Sequence, residues 1–168
     1  NTGNAYTFDG IDDRLSVSTS TSLAIKDKFT VAVAFNLTAG SGAVTLIESS
    51  VGDCVDLGLR INPSGGAFAL IEQSKCGFAS LAAGTTINYG TWHHLAITAD
   101  GTTFKLYLDG VLRSSSAQSG AVYQFGALEI GSQNTGASQL FKGQLDDIQV
   151  WSVALDGCLL YTSDAADE

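Results

Sequence analysis

Two ten-residue stretches at opposite ends of the chain repeat one pattern. The first is Phe8-Asp9-Gly10-Ile11-Asp12-Asp13-Arg14-Leu15-Ser16-Val17. The second is Phe141-Lys142-Gly143-Gln144-Leu145-Asp146-Asp147-Ile148-Gln149-Val150, followed by Trp151. Both fit Phe-x-Gly-x-x-Asp-x-(Leu/Ile)-x-Val. Phe is an inward anchor and Gly permits a tight bend. Asp accepts hydrogen bonds from amides in such a bend, and the alternating apolar residues that follow begin a strand. The repeat predicts terminal strands that are built alike and lie side by side. It also gives Asp13 and Asp146 equivalent positions, a candidate shared cation site.

The chain between these ends reads as strands. Val, Ile, Thr, Phe and Tyr come in short runs separated by Gly, Ser, Asn and Asp, with 19 Gly, a single Pro and no Met. Strands are predicted at 5–8, 14–18, 29–37, 43–49, 55–61, 67–73, 85–88, 92–99, 103–108, 111–115, 127–131 and 143–151. Asp100-Gly101 and Asp109-Gly110 are hairpin turns, so 92–115 forms a three-stranded meander. Alternation turns Phe29, Val31, Val33, Phe35 and Leu37 toward one core. Phe104, Leu106 and Leu108 face in, and Tyr107 faces out or toward a groove. No segment carries a 3.6-residue apolar period. About twelve short strands predict an all-β fold, a sandwich of two antiparallel sheets of jelly-roll type. At 168 residues the chain is one domain, able to bury a core without help from metals or disulfides.

The formal charge of −9 argues against nucleic acid and anionic membrane as partners. No apolar run is long enough to span a bilayer, and no signal peptide is recognisable, as expected of a mature or excised fragment. The last eleven residues, from Cys158 to Glu168, resemble a sequencing adapter translated in frame, as in a metagenomic fragment; the alternative is a genuine extension. The domain is therefore read as 1–157, with 158–168 a non-native tail. Without the tail's three acids, Asp164, Asp167 and Glu168, the charge becomes −6. Cys54 and Cys76 remain, flanking a strand, a turn and a strand. They are equidistant from Gly65 in that turn, and residues so placed in an antiparallel hairpin face each other within disulfide reach. A Cys54–Cys76 bridge is predicted, and with it a secreted or cell-surface location; the alternative is two reduced thiols. Cys158 is then a free thiol.

Four segments together resemble the laminin-G-like jelly rolls of the concanavalin A-like lectin/glucanase superfamily. They are Tyr6-Thr7-Phe8-Asp9-Gly10-Ile11-Asp12-Asp13, Trp92-His93-His94-Leu95-Ala96-Ile97-Thr98, Leu106-Tyr107-Leu108-Asp109-Gly110, and the stretch from Phe141 to Trp151. They occur in the family's order and cover nearly the whole body. The resemblance implies a short closing segment after the last strand, beginning here at Ser152. It also implies a structural Ca²⁺ near the joined terminal strands, with Asp146, Asp9 and the carbonyl of Gly10 as ligands; Asp13 is the candidate from the internal repeat. The alternative is that these aspartates only cap turn amides. The fold alone does not fix function, since it hosts lectins, adhesion domains and hydrolases.

Catalysis finds little support. The glucanase pattern Glu-x-Asp-x-x-Glu that the resemblance would require is absent, and Glu48, Glu72 and Glu129 each stand alone in the sequence. His93 and His94 are adjacent on a strand and so point to opposite faces. No Gly-x-Ser-x-Gly elbow occurs. A non-enzymatic carbohydrate-binding or adhesion module of a larger secreted protein is the leading reading, with a polysaccharide or glycan as partner. A protein–protein interaction domain and a glycoside hydrolase of the same fold are the alternatives. Sugar binding needs aromatic faces and amide side chains in a shallow groove. The predicted rim loops 49–53, 74–78, 88–91, 116–125 and 132–140 supply Tyr89, Tyr123, Gln133 and Asn134 as leading candidates, with Gln124 and Gln139 beside them. Trp92 and Trp151 are assigned to the core.

Overall fold

The structure, a computed structural model, describes residues 5–38, 42–51, 54–74, 77–118, 125–133 and 138–157. Its strands are β1 (Tyr6–Asp9), β2 (Leu15–Val17), β3 (Lys28–Leu37), β4 (Val44–Val51), β5 (Cys54–Ile61), β6 (Gly66–Ser74), β7 (Gly77–Thr86), β8 (Trp92–Asp100), β9 (Thr103–Leu108), β10 (Val111–Ala117), β11 (Ala127–Ile130) and β12 (Lys142–Trp151). They form two antiparallel sheets of six strands. The terminal sheet has the order β1-β12-β3-β8-β9-β10, and the second sheet β2-β11-β4-β5-β6-β7. The expected sandwich is observed, and β1 and β12 pair directly, with Tyr6 opposite Leu145 and Phe8 opposite Gly143. Among the described residues no helix is long and apolar enough to cross a membrane.

Alternation builds the core. Phe29, Val31, Val33, Phe35 and Leu37 are all buried, as are Phe104, Leu106 and Leu108. They pack against Ile47, Leu57, Leu59, Ile71 and Leu81 of the second sheet in one continuous cluster. The two repeat-pattern anchors meet there: Phe8 and Phe141 stand edge to face, 5.9 Å apart. The pattern's two glycines have different tasks. Gly10 turns a bend at φ +78°. Gly143 lies inside β12 at φ +149°, where a Cβ would collide with the carbonyl of Asn36. Both Asp-Gly turns form hairpins, and Asp109 and Gly110 both take positive φ, as a tight two-residue turn demands.

Several expectations are corrected. Trp92 and Trp151 are 41% and 45% exposed instead of buried. Leu95, Ile97 and Ala99 take the inward positions of β8, so Trp92 faces outward beside Asn36. Trp151 lies opposite Thr30, on the same outer face. The strand expected at 85–88 is β7, which starts much earlier; its Ala, Ser and Gly residues lack the β-branched signature that marks strands. Ser74 and Gly77, expected in a loop, pair across β6 and β7. Tyr107 points outward as expected but is covered: Leu155 packs on it together with Ala32 and Ala96. The β5–β6 ladder, with Leu57 opposite Ile71 and Ile61 opposite Ala67, centres on Ser64, one residue before the expected Gly65. Cys76 lies outside the described residues, and the expected Cys54–Cys76 bridge with it.

Candidate functional site

The bend after β1 gathers three carboxylates. Asp9 Oδ1 accepts from the amides of Ile11 at 2.7 Å and Asp12 at 3.4 Å. Asp13 Oδ2 accepts from the amide of Asp9 at 2.9 Å. Oxygens of Asp9, Asp12 and Asp13 lie within 4.8 Å of one another, all exposed. Asp12 was not among the expected ligands. Asp146 stands apart. It pairs with Ala34, while Asp9 pairs with Lys142. Four positions of β12, about 13 Å, separate the two levels. Asp146 Oδ1 accepts from the amide of Asp147 at 2.9 Å. The turn-capping role is thus present at both ends of the repeat, and Asp9 and Asp13 come together without Asp146. Asp9 Oδ2, both oxygens of Asp12 and Asp13 Oδ1 make no hydrogen bond to described residues, and this hard-oxygen set fits Ca²⁺ with water completing its shell.

The expected sugar contacts are dispersed. Tyr89 is 46% exposed in the turn before β8. Gln133 is tied to Ser138 by a backbone bridge and by its side-chain carbonyl, which accepts from Ser138 Oγ. Gln139 accepts from Thr45 through both its backbone and its side-chain oxygen. Tyr123, Gln124 and Asn134 lie outside the described residues. The two histidines do face opposite ways. His93 turns toward Phe35, with Nδ1 2.9 Å from Asp109 Oδ2. The backbone amide of His94 donates to the other oxygen of Asp109. This is a structural clamp on the β9–β10 turn. A shallow depression of about 510 Å³ between Ile25, Lys28 and Ser152 has no aromatic residue in its described lining.

The outer face of the second sheet carries a constellation that the sequence hid. Glu48 and Glu129 stand directly opposite each other across β4 and β11. Their neighbours Ile47, Leu128 and Ile130 face the core, so both carboxylates point outward. Like charges so placed repel. Two contacts offset this. Arg60 Nη2 forms an ion pair with Glu48, its guanidinium lying over Gly58, which has no side chain to block it. Ser16 Oγ lies 2.9 and 2.8 Å from the two oxygens of Glu129. Glu48 and Arg60 are 1% and 7% exposed, unusual for an outer sheet face, whereas Glu129 is half-buried. Arg60 Nε has no partner among the described residues. Phe68 is opposite Arg60 and Leu70 opposite Gly58, both half-buried on the same face. The result is an accessible acceptor held in place, with an apolar pair on the same face about 14 Å away, across β4 and β5.

Residues 9–158 match the family described as the concanavalin A-like lectin/glucanases superfamily, laminin-G type. No curated protein matches the chain. Among solved structures, the Ruminococcus gnavus IT-sialidase CBM40 bound to α2,3 sialyllactose aligns with a TM-score of 0.76 at 15% identity, over 94% of this chain and 95% of its own. The ligand-binding domain of botulinum neurotoxin serotype D, in complex with N-acetylneuraminic acid, gives a TM-score of 0.77 at 17% identity, over 97% of this chain and 42% of its own. The native SAP-like pentraxin of Limulus polyphemus gives 0.70 at 16%, over 93% and 79%. These likenesses establish the sandwich architecture, which the family match, spanning nearly all of the described sequence, carries to the level of ancestry. The chain belongs to the concanavalin A-like lectin/glucanases superfamily.

Proposed function

We propose that this domain is a non-catalytic glycan-binding module of a larger secreted protein, and that it binds sugar on the outer face of the second sheet. One observation carries this reading: Glu129, oriented by Ser16, shares an outer sheet face with the apolar pair Phe68 and Leu70, which lies three inter-strand gaps, about 14 Å, away across β4 and β5. A sugar ring presents hydroxyl donors at its rim and an apolar C–H face. Glu129 accepts from the hydroxyls of one sugar, and Phe68 and Leu70 meet the C–H face of another, further along an oligosaccharide laid across the strands. The carbohydrate-bound neighbours share the fold and support the same class of ligand. Tyr89 and Gln133, with Tyr123 and Asn134, are proposed as loop contacts that extend the site.

Hydrolysis is disfavoured by the same geometry. Retaining glycosidases need a nucleophile and an acid that both reach the scissile bond. Glu48 is sealed beneath Arg60 and cannot reach substrate. It serves as an anchor for the guanidinium.

Calcium is proposed at Asp9, Asp12 and Asp13, with the Gly10 carbonyl as a further ligand. There it would stiffen the bend between β1 and β2. The Cys54–Cys76 bridge and export belong to the same reading, supported by two cysteines that flank one hairpin.

Glycan-array screening followed by calorimetry tests the proposal. Saturable binding is expected, at least roughly tenfold weaker in Glu129→Gln, a loss of about 1.4 kcal/mol. Titrations with Ca²⁺ and with a chelator should show a higher melting temperature in calcium, lost in Asp12→Asn. Binding unchanged by Glu129→Gln would remove the second sheet as the site. Turnover of a β-glucan would replace the binding reading with the hydrolase.

A further inference from the structure

The outer face of the terminal sheet carries a row of side chains that the proposed site does not use. Thr7, Gln144, Asn36 and Trp92 stand in register across β1, β12, β3 and β8. All four point away from the core, because Phe8, Leu145, Phe35 and Leu37 take the inward positions beside them. The row spans about 14 Å, three inter-strand gaps. Trp92 is 41% exposed at one end, and Tyr89 stands exposed in the turn just before it. Asn36 and Gln144 are half-buried, and neither side chain has a hydrogen-bond partner among the described residues. Neither amide is sealed from water, so both are open to a ligand.

The next row along the strands is Asp146, Ala34 and His94. Ala34 gives it a low floor. Beyond that, segment 152–157 crosses the sheet. Thr30 Oγ1 donates to the carbonyl of Val153 and accepts from the amide of Leu155, and Leu155 seals Ala32, Ala96 and Tyr107. A trough therefore runs across the strands, with Trp92 and the amides on one side and the closing segment on the other. The other tryptophan differs. Its indole N–H donates to Gln149 Oε1 at 3.1 Å, so Trp151 is already engaged.

We infer that this trough is a second ligand surface, which binds a linear, neutral polysaccharide chain. The inference rests on the glycan-binding reading and adds a surface to it on the opposite face of the molecule. An exposed indole is a platform for a sugar ring, and unpaired amides both donate to and accept from hydroxyls. The row's length suits several consecutive sugars rather than one terminal residue. Charge selects the class: Asp146 lies in the trough and the whole chain carries −9, which repels uronate or sialylated chains.

The full chain is titrated with cellohexaose, xylohexaose and mannohexaose, with hexagalacturonate as the acidic comparison. Trp151→Phe is used as background, so that Trp92 fluorescence alone reports binding. A blue shift is expected with at least one neutral hexasaccharide. Affinity for that hexasaccharide, measured by calorimetry in every variant because Trp92→Ala removes the fluorophore, should fall at least roughly tenfold in Trp92→Ala, as for an aromatic anchor. Asn36→Ala should weaken it as well, and serves if Trp92→Ala does not fold. Glu129→Gln should leave this affinity within about twofold. Undiminished binding in both Trp92→Ala and Asn36→Ala, with loss in Glu129→Gln, overturns the second surface and leaves the first standing. Equal affinity for hexagalacturonate overturns the neutral class. A mass that halves on Trp92→Ala, with no saccharide effect, assigns the row to self-association and overturns the inference. Absence of any saccharide binding sinks both surfaces together.

Discussion

Asp100 closes the β8–β9 hairpin through a single oxygen. Its Oδ1 accepts from Thr102 Oγ1 at 2.7 Å and from the amides of Thr102 and Thr103, each at 2.8 Å. The Thr102 hydroxyl, followed by these amides, holds its carboxyl below the ordinary value of 3.8. A depressed carboxylate contributes stability above its unfolded pKa and loses it as pH falls through the folded one. The contribution is therefore complete at pH 7 and fades below about pH 4. Solvent screening keeps it modest at this exposed turn. Asp100→Asn is expected to cost about 1 kcal/mol at pH 7 and progressively less as pH falls below about 4. Urea unfolding of both proteins at steps from pH 7 down to pH 2 checks this; a gap that does not narrow would show that the charge is irrelevant. Asp100 was legible from the sequence because Asp-Gly between alternating strands is a local signal. Glu48 and Glu129 were not. They are far apart in sequence and meet only through the β4–β11 register, which no local pattern encodes.

At the level of elements, β12 is the strand that most constrains the sandwich. It pairs with β1 on one side and β3 on the other, joining the two ends of the chain to the middle of the terminal sheet. Its closest approach is at Gly143, opposite Leu37, where the Asn36 carbonyl occupies the space of a Cβ. Gly143→Ala should push β12 off β3 and cost about 3 kcal/mol or more, through both the collision and the unfavourable φ. Gly42→Ala, with no atom of a described residue within 4 Å of the new methyl, should stay within about 0.5 kcal/mol. Equal denaturation midpoints for the two variants would refute the close approach. The sequence pattern correctly set the two terminal strands side by side, but it took both glycines for turn residues. Only Gly10 is one. The same spacing served a bend in one copy and a tight strand contact in the other, and the difference is set by what packs alongside. Most of β7 was missed for a related reason. Its Ala- and Ser-rich sequence becomes a strand because β6 offers it an edge.

For the molecule as a whole, the unexpected feature is how little of the terminal sheet's outer face is left to solvent near Tyr107. The sequence suggested a closing segment after β12, but not where it goes. Segment 152–157 folds back over β3 and reaches Tyr107, with Gly157 seated against the tyrosine ring, where a Cβ would come within 3.2 Å of it. Tyr107 is consequently 7% exposed, although it stands on the outward side of β9. Two hydrogen bonds at Thr30 and the burial of Leu155 and Tyr107 hold the segment down. At about 1 kcal/mol for each hydrogen bond, with a further contribution from the apolar contact, the segment is worth roughly 2–3 kcal/mol. A chain ending after residue 157 should melt with the full chain. One ending after Trp151 should melt roughly 5–10 °C lower, as that loss implies for a domain of this size, and its Tyr107 should become accessible to nitration. If ending the chain after 157 already lowers the melting temperature by that amount, the last eleven residues belong to the fold and the domain does not close at Gly157.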